Sequence, residues 1–206
     1  MTTVRDIARK IEEYAPLSLA AGFDNVGLLV GNPFAEARRV LIALDADSET
    51  VAEAAELGAD MLITHHPIMF KPVQKITEDE IEGRIICKLI RSGISLYTAH
   101  TNLDSADGGV NDVLAEKTGL FDIEKLICPD YEGSARMGKI KEITLGGFAA
   151  ETAKSLGSSV IKVVGDKNIL VKKAGVSSGG GAFMISAAYE NGRSEEHTSE
   201  LQSPNT

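Results

Sequence analysis

Met61-Leu62-Ile63-Thr64-His65-His66-Pro67 is a short apolar run that ends in two adjacent histidines. The apolar residues predict a buried strand, and Pro67 ends it because proline has no backbone N–H to donate. Neutral imidazole is the commonest metal ligand in proteins. Since the chain holds only four histidines, a pair at the end of a predicted strand indicates a metal site.

Strands and helices alternate on both sides of this segment. Apolar strands are predicted over 39–45, 61–64 and 94–99, and helices over 48–57, 79–92 and 109–117. Strands that are apolar throughout are typical of a parallel sheet whose two faces are both covered by helices. We therefore predict an α/β fold with a mostly parallel sheet and helices on both faces.

Three successive predicted strands lead into side chains that can bind a metal ion. Asp45 ends the first strand, His65 and His66 end the second, and His100 and Asp104 follow the third. In open α/β sheets, ligands bind beyond the carboxyl ends of the strands. If the three strands are neighbours, these side chains converge on one site.

Each of these residues also has a plainer structural explanation. Of His65 and His66, one can be a core residue and the other an exposed one, and Asp104 can cap a helix or a turn. His100 can be a ligand, an orienting residue or a substrate contact. Asp45 can merely cap the turn after its strand. The convergence of several such residues favours the metal site, and a mixed imidazole and carboxylate set suits Zn, Fe, Mn and Ni.

The chain after residue 125 is less regular. Residues 139–145 alternate like a half-exposed strand, a helix is predicted over 149–156, and a strand over 160–164. The run Ser177-Ser178-Gly179-Gly180-Gly181 precedes a predicted helix, as anion-binding loops do, but it lacks the GK[ST] of a P-loop. Tight packing between a strand and a helix is the favoured interpretation of this run.

Composition excludes several classes of protein. A net charge of −9 over 206 residues argues against a general nucleic-acid-binding surface. No apolar run approaches the roughly 18 residues of a membrane span, and the charged N-terminal residues do not resemble a signal peptide. Cys87 and Cys128 stand far apart in the sequence, which fits a reducing compartment. These features predict a cytoplasmic protein with no membrane partner.

Residues 193–206 differ from the rest of the chain. They show no apolar periodicity, and residues 193–203 equal one reading frame of a widely used sequencing adapter. We interpret 193–206 as a non-native, adapter-derived tail. His197 is therefore not counted among the candidate ligands.

Four segments together resemble the dinuclear-metal-centre family that includes the type 2 GTP cyclohydrolase I proteins and the NGG-interacting-factor-three-like proteins. They are Phe23-Asp24-Asn25-Val26-Gly27-Leu28, Ile63-Thr64-His65-His66-Pro67, His100-Thr101-Asn102-Leu103-Asp104 and the Ser-Ser-Gly-Gly-Gly turn. The resemblance runs from the first helix to about Gly192. It implies two related α/β halves around a two-metal site, assembled as a homohexamer.

The resemblance also implies a ligand set and a domain division. The family's ligands correspond to His65, His66 and Asp104, and two further ligands, a histidine and a glutamate near the C-terminus, have no counterpart before residue 193. We therefore expect a C-terminally truncated member with an incomplete second half. Residues 1–125 are expected to form the first half, with both metal motifs, and residues 126–192 part of the second. Two divalent ions are implied for the complete protein, and fewer or weaker ones for this chain.

Two functions follow from the resemblance. The first is a metal-dependent hydrolase that acts on a nucleotide or a similar small molecule, with GTP ring opening as one candidate reaction. The alternative is a non-catalytic metal-binding protein with a regulatory or partner-binding role. No residue is assigned a catalytic role at this point.

Overall fold

The computed structural model describes residues 1–126 and 135–190, with the backbone alone for Phe183. Cys128 and the proposed adapter-derived tail, with His197, lie outside the described residues. The chain divides into two compact units, Met1–Leu103 and Asp104–Thr206. Each unit has its own sheet, of four strands in the first and three in the second.

Helices and strands alternate along the first unit. In chain order they are α1 (Val4–Tyr14), β1 (Gly27–Val30), β2 (Val40–Ala43), α2 (Ser48–Glu56), β3 (Met61–Thr64), α3 (Ile81–Arg91), β4 (Ser95–Thr98) and α4 (Thr101–Ser105), whose last two residues belong to the second unit. The strand order is β1-β4-β3-β2, in which β2, β3 and β4 run parallel and β1 runs antiparallel to β4. The predicted α/β fold with a mostly parallel sheet is thus confirmed.

Two hydrophobic clusters pack on opposite faces of this sheet. Leu62 and Leu96 point to the face covered by α2 and α3, whereas their neighbours Met61 and Tyr97 pack with α1. Successive strand side chains alternate between faces, so a strand that is covered on both faces carries apolar residues at adjacent positions. All four side chains are fully buried, and burial of each such side chain stabilises the fold by about 1.5–3 kcal/mol.

The register of the parallel strands brings their carboxyl ends to one edge of the sheet. Ala43 pairs with Thr64, and Thr64 pairs with Thr98. The Ala99 N–H then donates to the Thr64 carbonyl at 3.0 Å. The segments that carry the two histidines and His100 therefore leave the sheet side by side.

The second unit contains an antiparallel sheet. Its elements are α5 (Val110–Lys117), β5 (Phe121–Leu126), β6 (Ala135–Thr144), α6 (Leu145–Ser155), β7 (Leu170–Ser177) and α7 (Met184–Glu190), with strand order β5-β6-β7. Across residues 1–126 and 135–190, no helix combines the length and apolar character that crossing a membrane requires.

The predicted strand over 160–164 is wrong. These residues form no strand, and Val160 and Val164 are 71% and 73% exposed. Within the run, only the partly buried Val163 packs against the buried cluster that contains Leu145 and Val171. A high content of β-branched residues is insufficient here, because β-propensity is realised only when a neighbouring strand and a packed face are present.

A buried ion pair links β6 to α5 in this unit. The Arg136 side chain is 1% exposed, and its Nε and Nη2 donate to the two carboxylate oxygens of Asp112 at 2.5 and 3.0 Å. Nη2 also donates to the carbonyls of Ser105 and Ala106. Burial raises the pKa of Asp112, but hydrogen bonds from Arg136 and from the Gly108 N–H bring it below its ordinary value.

Asp112→Asn tests the contribution of this pair. We expect the free energy of unfolding to fall by about 3–5 kcal/mol at neutral pH, because the buried Arg136 guanidinium loses the negative charge that Asp112 supplies. A carboxylate with a lowered pKa stabilises the fold above its ordinary pKa of 3.8, and this contribution is lost as the pH falls further. The difference between the proteins should therefore shrink below that pH. Urea unfolding at several pH values measures both effects.

Asp107→Asn is the matched control. Asp107 pairs with Lys125 in the same unit, but its side chain is 88% exposed. Exposed pairs contribute little, so we expect a change of less than about 1 kcal/mol. Equal losses in the two variants would contradict a special contribution from the buried pair.

Candidate metal centre

Three histidines form a cluster at the carboxyl edge of the first sheet. His65 and His66 follow β3, and His100 follows β4. The ring centroids of His65 lie 5.0 Å from those of both His66 and His100, and the third separation is 5.6 Å. One ring nitrogen from each residue lies within 4.8 Å of the other two, so the three can hold a metal ion together.

A turn after β3 brings the two adjacent histidines to the same site. Successive side chains of a strand point to opposite faces, so both can serve one site only where the strand has ended. The N–H groups of His65 and His66 both donate to the Leu44 carbonyl, at 3.2 and 3.0 Å. Thr64 Oγ1 donates to the His66 carbonyl at 3.0 Å. The backbone therefore turns around one acceptor, and the two rings come together.

Hydrogen bonds at Nδ1 determine the tautomer of all three rings. The bonds are His65 Nδ1 to the Ala99 carbonyl at 2.9 Å, His66 Nδ1 to Asp45 Oδ1 at 2.7 Å, and His100 Nδ1 to Asp24 Oδ2 at 2.9 Å. Carbonyl and carboxylate oxygens only accept, so each Nδ1 must carry the proton. In the neutral ring the lone pair is then on Nε2. This is the usual arrangement of a metal-binding histidine with an oxygen partner behind it.

The partner of His100 is deeply buried. The Asp24 side chain is 0% exposed and the His100 side chain 15%. Burial raises the pKa of Asp24, but hydrogen bonds from Thr101 and His100 bring it below its ordinary value. Asp24 is therefore a charged acceptor within the fold.

The partner of His66 is far more exposed. The side chains of His66 and Asp45 are 45% and 53% exposed. Water competes for both groups, so this bond holds its ring less firmly than the buried bond holds His100. Asp45, for which a turn cap was one expectation, accepts a hydrogen bond from a histidine of the cluster.

An aromatic side chain contacts one of the three rings. Phe70 meets the His100 ring edge-to-face with centroids 5.6 Å apart. Its side chain remains 48% exposed. It presents a half-exposed apolar surface beside the His100 imidazole.

Asp104, the third residue of the expected ligand set, lies on α4 four residues after His100. It is 7% exposed, and its carbonyl accepts from Asn111 Nδ2 at 3.2 Å. Asp104 belongs to the second compact unit, and its role as a ligand stays a prediction. His65 and His66 do come together as the sequence suggested, and His100 joins them.

The contacts of the Ser-Ser-Gly-Gly-Gly run are those expected of a packing role. The Ser178 N–H donates to Asn111 Oδ1 at 2.7 Å. A Cβ added to Gly181 would lie 2.9 Å from the Ser177 Cβ, and Gly179 has a φ of +67° that side chains rarely adopt. Gly179 therefore meets a backbone requirement of the turn, and Gly181 leaves room for the Ser177 side chain.

Asp24 is the site residue whose role the sequence alone did not reveal. It stands in the Phe-Asp-Asn segment, 76 positions before His100 in the chain. No spacing rule connects two residues so far apart. The only available signal was its membership of a family motif.

An α/β fold with three histidines clustered after two of its parallel strands defines a candidate metalloprotein. The family model for Duf34/NIF3 (NGG1p interacting factor 3) matches residues 2–198. The chain belongs to this family.

Proteins named GTP cyclohydrolase 1 type 2 homolog are among its relatives. The one from Clostridium perfringens is 40% identical over 196 residues, which is 92% of this chain and 74% of that protein. The one from Clostridium acetobutylicum is 35% identical over 195 residues, 92% of this chain and 72% of that protein.

Solved structures share the fold. The Staphylococcus aureus protein SA1388 has a TM-score of 0.84 at 29% identity, covering 93% of this chain and 76% of that one. Reduced HcgD from Methanocaldococcus jannaschii has a TM-score of 0.76 at 33% identity, covering 92% of this chain and 75% of that one.

Thr101→Val tests the hydrogen bonds behind His100. Thr101 Oγ1 donates to Asp24 Oδ2 and accepts from the Ala21 N–H. The variant leaves the N–H without this acceptor and the carboxylate without one donor. We expect a loss of about 1–3 kcal/mol in the free energy of unfolding, measured by urea denaturation.

Thr118→Val is the matched control for this substitution. Thr118 is also buried, at 7% exposure, but its hydroxyl donates to the Leu114 and Ala115 carbonyls. Backbone N–H groups already bond both carbonyls. A loss below about 1 kcal/mol is expected, because no buried group is left unsatisfied. A cost as large as that of Thr101→Val would refute the importance assigned to the Asp24 network.

Proposed function

We propose that His65, His66 and His100 hold a divalent metal ion that serves hydrolysis of a nucleotide or a similar small molecule. The observation that carries the proposal is the matched tautomer of the three rings. Each has a hydrogen-bond acceptor at Nδ1, so that a neutral ring presents Nε2 as an electron-pair donor. Unrelated core histidines have no reason to share this arrangement and to cluster with nitrogens within 4.8 Å.

The donor set suits a borderline metal ion. Imidazole nitrogens favour Zn, Cu, Fe and Ni, and a carboxylate such as Asp104 would extend the choice to Mn. Asp104 enters this proposal as a further ligand. A second ion, which the family resemblance implies, would need more donors than the three histidines supply.

Hydrolysis is the reaction class that such a site supports. A bound ion would supply a water of lowered pKa and polarise the bond that is attacked. The half-exposed Phe70 ring beside His100 offers an apolar contact for a planar group. The name shared by the relatives, GTP cyclohydrolase 1 type 2 homolog, makes GTP the first substrate to assay.

A non-catalytic role is the second candidate. The family description contains the words interacting factor, which favours a metal-binding protein that acts through a partner. A homohexamer, which the family resemblance implies, is proposed for either role, and light scattering of the purified protein tests it. The metal site is common to both candidates, so turnover separates them.

Removal of single histidines tests the metal site. The metal-free protein is titrated with Zn²⁺ or Mn²⁺ in competition with a chromophoric chelator. We expect His65→Ala, His66→Ala and His100→Ala each to lower the affinity by about tenfold or more, since each removes one donor or its orientation. His197→Ala is the matched control and should leave the affinity unchanged. Absence of binding by the wild-type chain would contradict the proposal.

Turnover decides between the two functions. The metal-loaded chain is assayed against GTP and a generic phosphoester, with chelator-treated protein as the control. A hydrolase should lose its turnover with the chelator and regain it when metal is restored. Stoichiometric metal without turnover of any substrate would favour the non-catalytic role.

A further inference from the structure

We propose that the dipeptide Asp24-Asn25 is the positioning element of the histidine cluster. Asp24 holds the His100 ring in the tautomer that presents Nε2, and Asn25 holds the segment that follows His65 and His66. This inference rests on the proposed metal-binding function and extends it to residues that do not contact the ion. It also assigns a physical role to the Phe-Asp-Asn segment, which the metal site itself leaves unexplained.

Asp24 bonds to four donors. Its Oδ2 accepts from His100 Nδ1 at 2.9 Å, from the Thr101 N–H at 3.1 Å and from Thr101 Oγ1 at 2.5 Å. Its Oδ1 accepts from the Asn25 N–H at 2.8 Å. A carboxylate is a pure acceptor and satisfies all four donors at once. The His100 ring is thus held by a group that can only accept a hydrogen bond from Nδ1.

Asn25 bonds to the other histidine-bearing segment. Its Nδ2 donates to the Met69 carbonyl at 2.6 Å. Met69 lies three residues after His66, in the segment that follows β3. Adjacent residues of one turn therefore contact both segments that carry the cluster. The peptide bond between Asp24 and Asn25 limits how far the two histidine-bearing segments can move apart.

The turn that contains the dipeptide is itself bonded to α4 and β4. The Asp24 N–H donates to the Ala21 carbonyl at 2.9 Å, and the Ala21 N–H donates to Thr101 Oγ1 at 2.9 Å. Two residues after Asn25, Gly27 pairs with Thr98 of β4. A site keeps its geometry when the residues behind the ligands are themselves held by regular structure. The turn meets this condition.

A purely structural role for Asp24 makes a different prediction. Asp24 also accepts from the first N–H of α4, as a capping residue does. If capping were its whole contribution, its loss would lower stability and leave the His100 tautomer unchanged. The position of the ring proton therefore separates positioning from capping.

The experiment begins with the metal-free, wild-type chain. ¹⁵N NMR of the histidine side chains, at about pH 8 where ordinary histidines are neutral, reports which nitrogen carries the proton. We expect the His100 proton on Nδ1. A proton on Nε2 in the wild-type chain would overturn the proposal without any variant.

Two substitutions of Asp24 test the mechanism. Asp24→Ala removes the acceptor, so we expect part of the His100 population to carry its proton on Nε2 and the Zn²⁺ affinity to fall by about 10–100-fold. Asp24→Asn keeps one oxygen that can accept from Nδ1, so the tautomer should be preserved. An unchanged tautomer and unchanged affinity in Asp24→Ala would refute the role. Should Asp24→Ala fail to fold, a proton on Nε2 of His100 in the wild-type chain would still overturn the proposal.

Asn25→Ala tests the second bond. It removes the donor to the Met69 carbonyl but leaves Asp24 in place. We expect Zn²⁺ affinity to fall by about tenfold or more while the His100 tautomer stays on Nδ1. An affinity equal to that of the wild-type chain would remove Asn25 from the positioning element.

Asp60→Ala is the matched control. Asp60 also accepts two backbone N–H bonds, from Arg38 at 2.8 Å and from Arg39 at 2.9 Å. It precedes β3, whereas the histidines follow that strand. The variant should lower stability without changing the His100 tautomer or the metal affinity. If the wild-type chain binds no metal, the proposed function fails, but the tautomer measurements still test the role of Asp24.

Discussion

The in-register pairing of β2, β3 and β4 is the constraint on which the rest of the first unit depends. Ala43, Thr64 and Thr98 lie in one row across the sheet, so the segments that follow the three strands leave the sheet at the same edge. Side chains as distant in sequence as Asp45, His66 and His100 become neighbours for that reason. The buried side chains on both faces of β3 and β4 hold the register, because a slip by one residue would move every side chain of a strand to the opposite face.

The oxygen atoms behind the three rings matter as much as the rings themselves. The common edge of the sheet brings the three imidazoles together, but the acceptors at Nδ1 determine which nitrogen each neutral ring presents. The three acceptors differ in how firmly they fix their rings. The Ala99 carbonyl belongs to the backbone beside β4 and Asp24 is buried, whereas Asp45 is half exposed. His66 is therefore the ring with the most freedom to adjust to an ion or a bound molecule.

Predictions from the sequence succeeded where the pattern was local and strong. The apolar strands, the helices between them and the α/β class are all present, because apolar runs separated by amphipathic segments are visible in a short stretch of sequence. The predicted strand over 160–164 was wrong, because within residues 1–126 and 135–190 no strand pairs with these residues, of which Val160 and Val164 are exposed. Asp24 was recognised as part of a motif, but its contact with His100 spans 76 positions and has no local signal. The ligand role of Asp104 stays a prediction.

The sequence by itself determined the fold class, the family and the two histidines at a strand end. Each of these follows from residue type and short spacing, which a linear chain displays directly. Only the tertiary structure decided that His100 joins the pair, that Asp24 and Asp45 hold two of the rings, and that Asn25 holds the segment between β3 and α3. The physical reason is that hydrogen bonds at a sheet edge join atoms that chain topology brings together, and their partners lie on different strands and turns.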